Sequence, residues 1–393
     1  MHSQKSSIAF HDSSPPSIDA TTLSNDKCCG TLPSARLRSD VGTHRSNHAQ
    51  FEKFKVSFPA YHSIMIVNRR IFSSLFTTTR SYQVTVVGAT SEVGQVLSLL
   101  LRSLPLITKL VVHDNKEFTP GVALDLSQIP SPSRILGLTG EDTLERALKN
   151  SDLVIAAGGL SQHPDISEKA LLTANSQFIK SIVSKLGRSC PIPFVGIITE
   201  PINYLIPMTA EIMRNHGVYG EKKLFGITEI DAIRSQCLYA TENNLKANDC
   251  YVPVIGGHSD KTIVPLLSQA KPTVEMKEKD LEEFTIKLRN CDGMITKAKR
   301  GCIPNLSVAY SSFLFTKSIL DALEGSPANI HAFVDNNDFG TSYFSGLVNL
   351  DKNGVKEMVR YSEFSKFECD LIEKSLQQLR KDVSKGRKIL ELA

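Results

Sequence analysis

Two short stretches of this chain hold residue types that can move a proton and grip a carboxylate. The first, Gly226-Ile-Thr-Glu-Ile-Asp231-Ala-Ile-Arg234, places an acid and a guanidinium three residues apart. The second, Val252-Pro-Val-Ile-Gly-Gly-His258-Ser-Asp-Lys-Thr262, carries a histidine. Histidine has the ordinary pKa nearest neutrality, so His258 can give a proton to a carbonyl oxygen and recover it in the reverse direction. Asp231 would orient the ring and favour its charged form. Arg234, on the same side of a helix as Asp231, can hold a carboxylate through a two-pronged, charge-assisted pair. Together these are the parts for hydride transfer to a small 2-oxo acid. The competing reading is structural, with His258 a satisfied buried histidine and Asp231–Arg234 an ordinary helix pair, because single motif residues often recur without function.

The elements that would position these groups begin with a dinucleotide signature. Val84-Thr-Val-Val87 reads as a short β-branched strand, followed by Gly88-Ala89-Thr-Ser91-Glu-Val-Gly94 and then leucines at helical spacing from Gln95 to Arg102. Strand, glycine turn and helix come in the order that cradles a pyrophosphate. A second strand, Leu110-Val-Val-His-Asp114, ends in an acid twenty residues past Gly94, where a carboxylate accepts from the ribose hydroxyls of NAD. Ser91 stands where a G-x-x-G-x-x-G turn has its middle glycine, and a side chain there is expected to crowd the pyrophosphate. Further along, Ser151–Gly159 and Phe194–Thr199 read as strands, and Ser167–Leu186 and Ile206–His216 as helices. The alternation implies an α/β fold built on a doubly wound, parallel Rossmann sheet. Beyond about residue 225, longer helices (285–300, 306–323, 362–390) and extended segments (329–334, 343–350) predict a separate α+β substrate domain.

Bulk properties bound the rest. A chain of 393 residues with 41% hydrophobic and 22% charged residues can bury a substantial core. Its net charge of +4 is small for that length, which argues against a general nucleic-acid or membrane surface. No apolar run reaches transmembrane length. The eight cysteines are scattered with neither C-x-x-C nor metal-ligand spacing, so no metal site is expected, and they read as reduced thiols of a cytosolic or matrix compartment. Residues 1–64 are rich in Ser, His, Pro and Thr and read as a disordered extension. Residues 65–80 have arginines, hydroxyls and no acid, with Val67, Ile71, Phe72, Leu75 and Phe76 at helical spacing. That composition is the mark of a mitochondrial transit peptide, the alternative being a basic amphipathic linker. Met65 would then be a working start, with cleavage near Arg80. Residues 81–225 form the expected NAD-binding unit and 226–393 the substrate unit.

From about Gln83 to its end the chain resembles the malate dehydrogenases of mitochondrial type. The matching blocks are Gly88-Ala89, Gly94-Gln95, Pro120-Gly-Val-Ala-Leu-Asp125-Leu126, Asn175, Pro201 with Asn203, Ile206-Pro207, His216-Gly-Val-Tyr219, Asp231 with Arg234, and Pro253–Thr262. The resemblance implies a homodimer, NAD as cofactor, interconversion of malate and oxaloacetate, His258 as proton donor and acceptor, Asp231 as its partner and Arg234 as a carboxylate ligand. It also places Gly88, Ala89, Gly94, Asp114 and Asn175 at the cofactor.

The departures fall in the substrate loop. Two arginines that the family uses for substrate are absent from Gly159-Leu-Ser161-Gln162-His163-Pro164-Asp-Ile-Ser-Glu168. Gln162, or Ser161, takes the first position and Glu168 the second. The family's asparagine beside the nicotinamide is Glu200. A dicarboxylate needs a cation at each end, so oxaloacetate is expected to bind poorly unless His163 or Lys169 substitutes. Three outcomes stay open: a malate dehydrogenase of the mitochondrial matrix, an impaired homologue with a binding or structural role, and a dehydrogenase for a less acidic 2-hydroxy acid.

Overall fold

The computed structural model describes residues 81–163, 165–186 and 191–389. The expected disordered extension and transit segment, residues 1–64 and 65–80, lie outside the described residues. The first half runs β1 (Tyr82–Val87), α1 (Glu92–Leu101), β2 (Ile107–Asp114), α2 (Thr119–Ser127), β3 (Arg134–Thr139), α3 (Leu144–Leu148), β4 (Leu153–Ala156), α4 (Glu168–Leu186), β5 (Phe194–Ile197), α5 (Ile202–Asn215) and β6 (Leu224–Ile227). The second runs α6 (Glu229–Glu242), β7 (Val254–Gly256), β8 (Ile263–Pro265), α7 (Glu278–Arg289), α8 (Cys291–Ala298), α9 (Leu306–Leu323), β9 (Ala328–Asp335), β10 (Tyr343–Asp351), β11 (Gly354–Met358) and α10 (Lys366–Lys388).

Strands β1, β4, β5 and β6 are buried along their whole length, as strands covered by helices on both faces must be. They pair in parallel in the order β3-β2-β1-β4-β5-β6. This is the doubly wound arrangement that the alternating pattern predicts, and the chain reverses direction across the sheet between β1 and β4.

The second half is less separate than its composition suggests. Strand β9 adds to β6 antiparallel, with Gly226 opposite Phe333, and the sheet runs on through β10, β7 and β8. One apolar core therefore reaches from Val84 through Phe225 and Phe315 to Leu379. A smaller cluster, with Tyr239, Val252, Val254, Phe284 and Leu288, lies under the β7–β8 hairpin. The predicted helix over 285–300 is instead two helices, α7 and α8, parted at Asn290. The helix predicted from Ile206 begins at Ile202 and carries Pro207 inside it, because its buried face extends back to Ile202.

Two features lock α10 against the rest. Its N-terminus carries a capping box, in which Ser365 Oγ accepts from Glu368 N and the Glu368 carboxylate accepts from Ser365 N. The same buried carboxylate accepts from Ser268 N at 2.9 Å and from Ser268 Oγ at 2.7 Å. Near the other end, Gly386 passes so close to α5 that a Cβ there would stand 2.4 Å from the Tyr204 carbonyl oxygen. Gly386→Ala is therefore expected to push α10 away from α5 and destabilise the protein by about 1–3 kcal/mol, the usual cost of overpacking. Urea unfolding checks this, and an unchanged midpoint would show that the contact relaxes freely.

Candidate active site

At the first turn, Gly88 adopts φ +85°, a conformation that disfavours any side chain, and a Cβ there would lie 2.2 Å from Gly158 Cα. The exits of β1 and β4 thus abut where the strand order reverses, the usual place for a ligand crevice in such sheets. Gly94 lets α1 sit on the turn, since a Cβ there would fall 2.3 Å from Gly88 O. Ala89 is fully buried. At the end of β2, the Asp114 carboxylate accepts from Thr90 N at 3.1 Å and from Asn115 N at 2.8 Å.

These residues fit a dinucleotide. A helix N-terminus offers N–H groups and the positive end of its dipole to the phosphates, and a carboxylate stands ready for a ribose. Ser91 departs from the expected crowding in an instructive way. It is the N-cap of α1: its Oγ accepts from Gly94 N at 2.8 Å and donates to Ala157 O at 2.7 Å. The hydroxyl is tied down inside the turn, and it takes up an N–H that a glycine would leave free for phosphate.

Asn175, expected to touch the cofactor, is fully buried. Its Oδ1 accepts from Leu160 N at 2.6 Å, and its Nδ2 donates to Leu160 O at 2.9 Å and Glu200 O at 2.6 Å. With the amide spent on backbone, Asn175 fastens the substrate loop to the segment that presents Glu200.

The proton-handling group sits in the β7–β8 turn. Gly256 has φ +108°, and Gly257 N donates to Thr262 O at 3.0 Å, closing the hairpin below His258. His258 N donates to Asn203 Oδ1 at 2.8 Å. Asn203 Nδ2 in turn donates to Thr262 Oγ1 at 3.1 Å and to Asp382 Oδ2 at 3.0 Å. The buried Asp382 carboxylate also accepts from Tyr204 OH at 3.0 Å and Gln378 Nε2 at 2.7 Å, and burial together with this carboxylate pushes the Tyr204 pKa up to about 12. Asn203 entered the sequence reading only as a matching residue, and Asp382 did not enter at all. A polar residue on the C-terminal helix carries no local signal of its distant partner.

Helix α6 brings Asp231, which is buried, to 2.6 Å from His258 Nδ1. The opposite ring nitrogen, Nε2, lies 2.8 Å from Glu200 Oε1. Burial disfavours a charged ring, but the two carboxylates outweigh it and raise the His258 pKa well above its ordinary value. Glu200 also accepts from Ile202 N at 3.1 Å, which aims its carboxylate back toward the histidine.

Arg234 lies on the same helix as Asp231, as their spacing predicts, but its fork is engaged. Nη1 donates to Asp292 Oδ2 at 3.1 Å and Nη2 donates to Asp292 Oδ1, a two-pronged pair with a residue of α8. Asp292 was not singled out in the sequence. Gln162 and Glu168 are both exposed and make no described contact with His258. His163, weighed as a substitute cation, has its Nδ1 3.3 Å from Asp165 Oδ2 of its own loop. Gly301 of the neighbouring loop adopts φ +100°, and a Cβ there would lie 3.5 Å from His163 Nε2.

A carboxylate-steadied histidine, a guanidinium on the helix of its partner and a nucleotide-type turn are parts that hydride transfer could use. Comparison with known proteins agrees. Residues 82–226 match the lactate/malate dehydrogenase NAD binding domain, and residues 228–390 match the alpha/beta C-terminal domain of the same family. The chain belongs to the lactate/malate dehydrogenase family. It is an NAD-dependent oxidoreductase of that family. The malate dehydrogenase of Actinobacillus succinogenes is 38% identical over 310 residues, covering 78% of this chain and 99% of that protein. The mitochondrial malate dehydrogenase of Bos taurus is 34% identical over 325 residues, covering 82% and 95%. Among solved structures, Cryptosporidium parvum malate dehydrogenase superposes with a TM-score of 0.66 at 25% identity, covering 78% of this chain and 99% of that one.

The turn geometry makes a direct prediction. Ser91→Gly frees the Gly94 N–H and opens the approach to the helix N-terminus, so NADH is expected to bind several-fold tighter. Calorimetric titration of NADH reads this, and equal or weaker affinity would mean that the serine cap does not limit cofactor binding.

Proposed function

We propose that this protein interconverts a 2-hydroxy acid and the corresponding 2-oxo acid with NAD, in the manner of a malate dehydrogenase. The observation that carries this reading is the 2.6 Å contact of His258 with Asp231, with Arg234 on the same helix. Bound NADH would supply the hydride to C2 of the 2-oxo acid. His258 Nε2 then gives its proton to the carbonyl oxygen as the double bond becomes a single one, leaving a hydroxyl and a neutral ring. Asp231 holds the ring by Nδ1 and favours the imidazolium that begins this step. Arg234 receives the substrate carboxylate on its fork. Gly88, Ala89, Gly94 and Asp114 would hold the dinucleotide, and Asn175 would act through the loop it fastens.

The second substituent of the substrate is the open matter. Gln162, Glu168 and Glu200 offer no cation for a second carboxylate, and a charge-assisted pair contributes about 1.5–3 kcal/mol. A less acidic 2-hydroxy acid is therefore the better fit, with malate a weaker substrate. The reading extends to a homodimer in the mitochondrial matrix, for which the similarity to the bovine mitochondrial protein and the composition of residues 65–80 speak, with a role in the tricarboxylic acid cycle only where malate is turned over.

Steady-state assay with NADH against oxaloacetate, pyruvate and longer 2-oxo acids tests the proposal. Turnover of at least one is expected, with pyruvate-like acids no worse than oxaloacetate, and His258→Asn should abolish it while leaving the fold intact. Full turnover in His258→Asn would remove the histidine from the chemistry.

The pH dependence follows from the raised His258 pKa. Reduction needs the protonated ring and is lost as pH rises through that pKa, whereas oxidation needs the neutral ring and appears only above it. The ion pairs also support the fold in the same sense: their contribution is complete below the unfolded histidine's pKa and lost as pH rises through the folded one. Glu200→Gln removes one of the two carboxylates, so both limbs of the kcat/KM profile should move to lower pH. Unmoved limbs would show that Asp231 alone sets the proton affinity of the ring.

A further inference from the structure

We propose that Asp292 is a specificity-determining residue that competes, from within the chain, for the guanidinium that takes the substrate carboxylate. The inference rests on the reading of Arg234 as that guanidinium. An aspartate side chain ends in the same two-oxygen group as a 2-hydroxy acid, and here it meets the Arg234 fork prong for prong. The two partners differ in freedom. The Arg234 side chain is 9% exposed, whereas that of Asp292 is 55% exposed and can swing into water. Asp292 is thus the partner that leaves when a ligand arrives.

Glu200 repeats the arrangement at the other polar end of the site, with Oε1 2.8 Å from His258 Nε2. The chain's own carboxylates thus occupy both groups that the reading assigns to a 2-hydroxy acid, Asp292 the fork of Arg234 and Glu200 the Nε2 of His258. A tethered competitor acts at high effective concentration, and a ligand's apparent affinity falls by the fraction of molecules in which the fork is open. The pair also sets the charge that the rest of a substrate meets. Asp292 displaced to the rim, together with Glu200, repels a second carboxylate and favours 2-oxo acids whose side chain is uncharged or a hydrogen-bond donor.

The test uses oxamate, a small carboxylate with an adjacent amide, titrated calorimetrically into the full protein saturated with NADH. Asp292→Asn and Asp292→Ala should each bind it at least about tenfold tighter than the unaltered protein, the gain for a fork open about a tenth of the time. Adding Arg234→Gln to Asp292→Asn should erase the gain. If neither single variant tightens oxamate while both keep the melting temperature of the parent, the proposal is overturned. Turnover is recorded separately. Tightened oxamate binding with no turnover of any 2-oxo acid supports the role of Asp292 and sinks the dehydrogenase reading. Turnover without tightening does the reverse.

Discussion

The contact between the Asp231 carboxylate and His258 Nδ1 is the constraint around which the second half of the molecule is arranged. Each partner comes from a different element, one from α6 and one from the β7–β8 turn, and neither element could hold the distance alone. The turn is kept in place from three sides. Asn203 of α5 accepts the His258 N–H, Asp382 of α10 orients Asn203, and Ser375 of α10 donates to Thr262 O at 2.8 Å. Helix α10 therefore helps to hold the His258 turn without touching the histidine. Its close packing on α5 at Gly386 and its capping box at Ser365 fix the line along which Asp382 acts.

The same buried pair explains why Glu200 has consequences beyond its own contacts. A neutral amide at that place would leave the histidine to a single carboxylate. A second carboxylate at 2.8 Å raises the proton affinity of the ring further and favours its charged form. Glu200 also changes what its own position can recognise, because an ionised carboxylate accepts hydrogen bonds but cannot donate one to a ketone oxygen.

Much of this was legible in the sequence, and the parts that were not share a physical reason. The strand, turn and helix around Gly88 and Gly94, the alternating first half, and the trio Asp231, Arg234 and His258 all rest on short-range patterns of apolar period, glycine and charge spacing. Asp292 does not. It lies on what reads as one unbroken helix over 285–300, and only the break at Asn290 turns it toward Arg234. The local marks of that break are Asn290 and the Asp292-Gly293 pair just past it, which the apolar spacing on either side hides. The contacts of Asn175 were hidden for a related reason: nothing local reveals that its amide meets Leu160 and the Glu200 carbonyl. Ser91 read as an intruder at the phosphate turn, yet the turn uses it as a cap. The division into two units was drawn where the alternation stops; that β9 pairs with β6, so that one sheet runs through both, has no signal in the sequence.

Stability and affinity oppose each other in this site. Without a ligand, a buried guanidinium and a buried imidazolium would each need a partner, since an unpaired charge in such a place is strongly destabilising. Here Asp292 and Glu200 meet part of that need, engaging both Nη atoms of Arg234 and Nε2 of His258, so any substrate gains only the difference between its own contacts and those it displaces. Because Asp292 is half exposed, its pairing contributes less to stability than a fully buried bridge would, and it is correspondingly easier to displace. The contact is thus weak enough to open and close enough to compete, which places control of substrate entry on α8 rather than on the loop that lacks its arginines.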